Sequence, residues 1–311
     1  MNSYRFILEP YKGIKSRFKC PNCYKIGVFT KYIDLETNEY LHESVGICDR
    51  INKCGYHYPP KDYLQVNDIS LNKVFTGNER IQSEVVKRQP SFIDEDIFDR
   101  SQKEGSTNYF LDYLSHLWNP GIALSLAERY NIGSSKHWQG GTVFWQMDIN
   151  NKIRSGKIML YDPKTGKRVK KPFNHITWAH KVLKLEDFNL KQCLFGEHLL
   201  NEDEDKPVAI VESEKTAIIA SVFLPEFIWM SCGSVNNLTE EKTRVLKGRS
   251  VILFPDLGCY DIWNDKIPSL TKLASFRVSD LIETKASPEE KLQGLDIADY
   301  LIGIKKSEEM V

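Results

Sequence analysis

No stretch of 18 consecutive apolar residues occurs in this chain, so nothing in it reads as a membrane-spanning helix. Net charge is lacking too. The 42 Lys and Arg residues balance 42 Asp and Glu, so no whole-molecule field points to nucleic acid or to a membrane surface, and any electrostatic argument has to be local. Internal repeats and low-complexity tracts are missing, which argues against solenoid and disordered classes. A phosphate-cradling G-x-x-x-x-G-K-[ST] loop is also missing, which argues against ATP-driven unwinding by this chain. The opening MNSYRFILEPYKGIKSRFK has a short apolar patch without a signal-peptide core or small-residue cleavage site, so the expected location is cytoplasmic, with no membrane partner.

The chain has 311 residues, 41% hydrophobic and 27% charged, an ordinary globular composition and a length suited to about two domains or more. Its seven cysteines are unevenly spread. Cys193, Cys232 and Cys259 stand alone and read as small core residues, whereas Cys20, Cys23, Cys48 and Cys54 fall in the first fifth of the chain. In a reducing compartment such a cluster reads as metal ligands rather than disulfides. Cys20-Pro21-Asn22-Cys23 is one knuckle, and KIGVFTKYIDLETNEYLHESVGI reads as two strands turning at Glu36-Thr37-Asn38-Glu39. That hairpin would bring a second knuckle alongside, giving a structural, tetrahedral Zn²⁺ site on a β-ribbon. The C-x5-C spacing of the second knuckle is long, so either Cys54 or His57 can be the fourth ligand.

Four stretches follow from composition. Residues 1–60 are the ribbon; 61–105 are polar and read as a connector; 106–200 form an α+β middle domain; 201–311 form an α/β domain. In the middle domain, apolar positions in NYFLDYLSHLWNPGIALSLAERYNI predict two short helices broken at Asn119-Pro120-Gly121. GGTVFWQMD, KIRSGKIMLYD and KRVKKPF then predict an antiparallel meander. After the acidic run 201–207 the pattern alternates: VAIVE, KTAIIASVFLP, FIWMSCG, LTEEKTRVLKG and SVILFPD predict short buried parallel strands covered by helices over 207–302. The fold class expected overall is multidomain α+β.

Glu212 closes the VAIVE strand and Asp256 closes SVILFPD. Acids at the carboxyl ends of parallel strands line the ligand crevice, and a carboxylate pair suits Mg²⁺ or Mn²⁺ bridging to phosphates. The bland alternative is a pair of helix-capping acids. VAIVESEKTA, followed by Ser231-Cys232-Gly233-Ser234, SVILFPDLG and the later Gly294-Leu295-Asp296-Ile297-Ala298-Asp299-Tyr300-Leu301, resembles the Toprim domain of bacterial primases, topoisomerases and some nucleases. With the ribbon, the chain resembles Toprim-containing primase-like proteins carried by mobile elements of Bacteroidetes. The resemblance implies acid/base or metal chemistry for Glu212 and Mg²⁺ binding for Asp256. The family's second aspartate is replaced by Gly258, which leaves Asp261, Glu214 or the Asp296 segment to fill the gap.

Residues 152–184 hold ten basic residues and one acid, Asp162. Arg154, Lys157, Lys167, Arg168, Lys170 and Lys171, with Lys215 beyond, are the candidate nucleic-acid contacts, interleaved with Trp145, Tyr161, Phe173 and Trp178 that could stack unpaired bases. The function that the resemblance implies, with the ribbon and the basic run beside it, is a DNA primase, a nucleotidyltransferase working on single-stranded DNA with nucleotides in mobile-element replication. A separate helicase or mobilisation protein would serve as partner. The alternatives are a binding-only accessory protein with a degenerate Toprim fold, for which Gly258 argues, and a Toprim nuclease.

Overall fold

The computed structural model describes residues 5–50, 54–66, 89–103 and 105–308. It divides into two compact units, residues 1–87 and 88–311.

In the first unit β2 (Phe29–Asp34) pairs antiparallel with β1 (Phe6–Leu8), β3 (Glu39–Tyr40) and β4 (Gly46–Cys48), and β4 pairs with β5 (His57–Tyr58). The β2–β3 turn passes through Asn38 with a positive φ of 59°, a conformation asparagine tolerates better than most residues. Cys20, Phe29 and Cys48 are fully buried in a small core to which Phe18 and Tyr56 add. So small a core cannot hold a fold of this size alone, which makes the cysteine cluster part of what holds the unit together. The expected connector lies partly outside the described residues; its described ends carry the helices Pro60–Val66 and Glu95–Ser101.

The second unit joins an antiparallel sheet to a parallel one. Helix Tyr109–Leu117 and helix Pro120–Arg129 fall on either side of the expected break. Asn119 caps the second, its side chain accepting from Ile122 N–H at 3.0 Å, and Pro120 occupies the first turn, where its missing N–H costs nothing. The antiparallel sheet runs β6 (Ile132–Ser135), β7 (Gly141–Met147), β8 (Ile153–Met159), β9 (Ile176–Trp178).

The last of these strands corrects the expected meander. KRVKKPF forms no strand; only a single bridge pairs Arg168 with Tyr161. That segment has little apolar surface to bury, Pro172 has no N–H to donate, and Lys167, Arg168, Lys170, Lys171 and Phe173 are exposed. Gly156 in β8 is required by close approach, because a Cβ there would meet the Trp145 ring at 2.5 Å.

The parallel sheet has the order β11 (Ile228–Ser231), β10 (Val208–Val211), β12 (Ser250–Leu253), β13 (Ser275–Val278). β10 is fully buried, as a central strand covered on both faces has to be. The outer edge of β11 is met by Phe195, whose N–H and C=O exchange hydrogen bonds of 2.9 and 3.0 Å with Ser231. β13 was not foreseen, since its four residues alternate between buried and exposed at the sheet edge. One continuous core unites the two sheets: Phe144, Met159 and Tyr161 pack in the same cluster as Val208, Ile210, Met230 and Leu253.

Candidate metal and nucleic-acid sites

The four cysteine ligand atoms of the first unit lie within 4.8 Å of one another. Cys20 Sγ is 3.7 Å from Cys54 Sγ and Cys23 Sγ is 4.0 Å from Cys48 Sγ, spacings that fit the edges of a tetrahedron around Zn²⁺. Cys54 therefore takes the fourth place, while His57 Nε2 lies 3.1 Å from the Tyr32 hydroxyl. Backbone N–H donation from Lys25 holds the Cys23 thiol down to about 6, whereas burial pushes Cys48 up to about 12. A thiol so raised becomes a thiolate only when a cation replaces its proton, which is the behaviour expected of a zinc ligand.

At the carboxyl end of the parallel sheet, Glu212 follows β10 and Asp256 lies three residues past β12. Neither caps a helix. Ser213 is the cap of helix Glu214–Phe223, its Oγ accepting from Thr216 N–H at 3.2 Å. The segment opening helix Ile297–Glu308 brings two further acids: Asp296 and Asp299 exchange backbone-to-carboxylate hydrogen bonds of 3.1 Å each, and Thr216 Oγ1 donates to Asp296 Oδ2 at 2.5 Å.

Burial, then the charges of Glu212, Asp296 and Asp299, push the Asp256 carboxyl up to about 8. Burial also raises Glu212 and Asp296; the Cys259 thiol and the backbone N–H groups of Asp256 and Val235 oppose the shift at Glu212. Glu212 Oε1 and Asp256 Oδ1 are both buried without a hydrogen-bond partner. Buried, unpartnered carboxylate oxygens in an acidic neighbourhood attract a hard divalent cation, although among the described residues only the four cysteines bring three or more ligand atoms within 4.8 Å of one another, so a cation here would have to draw the acids together.

Two of the residues expected to contact nucleic acid act on this cluster through their charge. The charge of Arg168 opposes the rise of Asp256, and that of Lys215 opposes the rise of Asp296. Lys215 Nζ also donates to Gly166 O at 3.3 Å. Lys167, Lys170 and Lys171 are exposed on the neighbouring loop.

Other expected residues are placed differently. Lys157 is buried, its Nζ 3.0 and 3.2 Å from the Glu214 carboxylate oxygens and 3.4 Å from Gly233 O. Arg154 pairs with Asp148 at 2.5 Å and lies over the Phe92 ring. Asp261 is exposed in the first turn of helix Tyr260–Asn264. Of the four interleaved aromatics, Trp145 and Tyr161 are core residues, Trp178 is half-buried and Phe173 is exposed. Strand alternation drives Trp145 inward into a second apolar cluster, and Tyr161 sits among Phe110 and Phe144, so neither is exposed beside the basic loop.

Gly258 has φ +80° with open space where a Cβ would be. Its N–H donates to Glu283 Oε2 at 3.0 Å. The turn after Asp256 therefore favours glycine for its backbone, independently of any metal chemistry.

Comparisons with known proteins agree with parts of this description. Residues 4–69 match the family described as a putative zinc beta-ribbon finger, and residues 108–257 match a domain of unknown function, DUF6371. With its four converging thiols, the N-terminal unit is a zinc ribbon with a structural zinc site. No curated protein matches the chain. Among solved structures, the chain is similar to the primase fragment of the bacteriophage T7 primase-helicase protein, at 14% identity and a TM-score of 0.34, over 89% of this chain and 97% of that one. It is also similar to the zinc-binding and RNA polymerase domains of the Aquifex aeolicus primase, at 13% identity and a TM-score of 0.36, over 97% and 84%. A third is a DnaG primase catalytic domain bound to ssDNA, at 11% identity and a TM-score of 0.40, over 67% and 80%.

Proposed function

We propose that this chain is a primase-like nucleic-acid enzyme that joins nucleotides on a single-stranded DNA template by Mg²⁺- or Mn²⁺-dependent phosphoryl transfer, in the replication of a mobile element. The observation that carries this reading is the pair of buried carboxylate oxygens of Glu212 and Asp256, left without partners at the carboxyl end of one parallel sheet, where the charges of Glu212, Asp296 and Asp299 all act on Asp256. The Toprim-like runs VAIVESEKTA and SVILFPDLG and the Asp296 to Leu301 segment supply those same residues.

In this reading Glu212 and Asp256 are the principal cation ligands, and of the three candidates for the missing acid, Asp261, Glu214 and the Asp296 segment, Asp296, oriented by Thr216, fills the gap. A bound divalent cation would neutralise phosphate charge and polarise the reacting phosphoryl group. Arg168 and Lys215 hold phosphate oxygens at the cluster, and Lys167, Lys170 and Lys171 guide the strand electrostatically. The zinc ribbon helps to hold the template, and unwinding falls to a separate helicase.

The test supplies the full-length protein with single-stranded DNA, four ribonucleotides and Mg²⁺ or Mn²⁺. Template-dependent products that vanish in Glu212→Gln and Asp256→Asn are expected. Undiminished synthesis by both variants would sink the site assignment, and shortened DNA in the absence of nucleotides would identify a nuclease instead.

A further inference from the structure

The face of the antiparallel sheet turned away from the carboxylates carries a second site. Phe144 of β7 and its cross-strand partner Lys157 of β8 face the shared core and Glu214. Their neighbours Val143, Trp145 and Ile158 face the other way, into a separate apolar cluster. Above that cluster opens a cavity of about 790 Å³, lined among the described residues by Ile97, Arg100 and Lys103, by residues 134–140, and by Ala179, Val182 and Leu183. Volumes of this order hold one small molecule such as a mononucleotide; a run of stacked bases needs a longer groove.

The lining has two chemistries. Its floor is apolar and aromatic, with Trp145 beneath and Trp138 at the side. Trp138 is half-buried and held edge-on by His137 at 4.5 Å and His175 at 5.1 Å. Its rim carries Arg100, Lys103 and Lys136, all exposed, and none of them ion-paired among the described residues. No Asp or Glu is found among the described lining residues, although the whole chain is neutral. A cavity with an aromatic wall and three cations that have no ion pair among the described residues is complementary to a flat ring bearing a phosphate.

We infer that this cavity binds a nucleoside phosphate, with the base against Trp138 and the phosphates held by Arg100, Lys103 and Lys136. The inference does not depend on the carboxylate site, which lies across the sheet and needs a divalent cation. A nucleotide bound here would act as an effector or a stored substrate, apart from the proposed chemistry.

The experiment measures tryptophan quenching and equilibrium dialysis on the zinc-loaded full-length protein without added Mg²⁺ or Mn²⁺, with ATP, GTP, ribose 5-phosphate and a 16-residue oligo(dT) as probes. Expected are saturable binding of ATP or GTP, at least tenfold weaker binding of ribose 5-phosphate, and at least tenfold weaker nucleotide binding in Lys136→Glu and in Trp138→Leu. Lys136 is exposed, so its variant reports on the site without disturbing the core. Three results would overturn the inference: no nucleotide binding, binding indifferent to both substitutions, or binding of oligo(dT) without binding of mononucleotides. Asp256→Asn, expected to lose priming activity, would leave nucleotide binding without added Mg²⁺ or Mn²⁺ intact.

Discussion

Lys157 and Glu214 form an ion pair inside the second unit, and its removal from one side tests how that unit is held. The Lys157 side chain is 10% exposed and that of Glu214 1%, and the two bonds between them are 3.0 and 3.2 Å. Lys157→Met keeps the length of the side chain but leaves the Glu214 carboxylate buried opposite an apolar group. Breaking such a pair costs about 3–5 kcal/mol, because the remaining charge loses its partner without regaining water. For a unit of this size each kcal/mol shifts the melting temperature by about 2–4 °C. Lys157→Met should therefore melt roughly 6–20 °C below the wild type, read by circular dichroism and checked by urea unfolding. The double variant Lys157→Met, Glu214→Gln removes both charges and should recover most of that loss, since a neutral amide is far cheaper to bury than an anion. A single variant that loses less than about 1 kcal/mol, or a double variant no better than the single, would refute the claim that the pair is buried and coupled.

Cys48→Ser should abolish zinc binding, so metal analysis of the purified protein should fall from one zinc per chain to none; retention of one zinc would exclude Cys48 as a ligand. Gly156→Ala should destabilise by about 1–3 kcal/mol, since the added methyl meets the Trp145 ring, and unchanged urea unfolding would show that the ring can move aside. Glu197 is buried where it accepts from Leu194 N–H and Ile149 N–H, each at 3.2 Å, and burial raises its carboxyl from 4.5 to about 7. The folded state then binds a proton that the unfolded state has lost, so this group's contribution to stability falls as pH rises from 4.5 to about 7 and is level above that. The fall is about 3 kcal/mol for such a shift. Glu197→Gln should flatten the pH dependence of urea unfolding by that order, and identical slopes in both proteins would refute the assignment.

The zinc ribbon was legible because ligand chemistry fixes residue type and spacing locally: Cys20-Pro21-Asn22-Cys23 is a knuckle whatever surrounds it. The parallel sheet was legible for a similar reason, since VAIV and SVIL are too apolar and too short for anything but buried strands between helices. Long-range choices were less visible. The Asp296 segment was noticed as a motif and as one of several candidates for the missing acid. Only the folded chain brings it against Thr216, 80 residues away. The run of positive charge from 152 to 184 mixes three environments that composition cannot separate: Lys157 inside, Arg154 bound to Asp148, and Lys167 to Lys171 in solvent. KRVKKPF reads as a third strand by its place after the turn 162–167, and its lack of apolar surface decides otherwise. The cavity beside Trp138 left no trace in any single segment, because its walls come from three separated stretches.

The measurement that most directly tests the central claim is calorimetric titration of the full-length protein with Mn²⁺ and Mg²⁺, comparing the wild type with Glu212→Gln, Asp256→Asn and Asp261→Asn, in the presence and absence of nucleotide. The account predicts a divalent-cation site in the wild type that weakens at least tenfold in Glu212→Gln and in Asp256→Asn and persists in Asp261→Asn. Binding unchanged by the first two substitutions, or no binding with nucleotide present, would contradict a metal-dependent active site at the ends of β10 and β12.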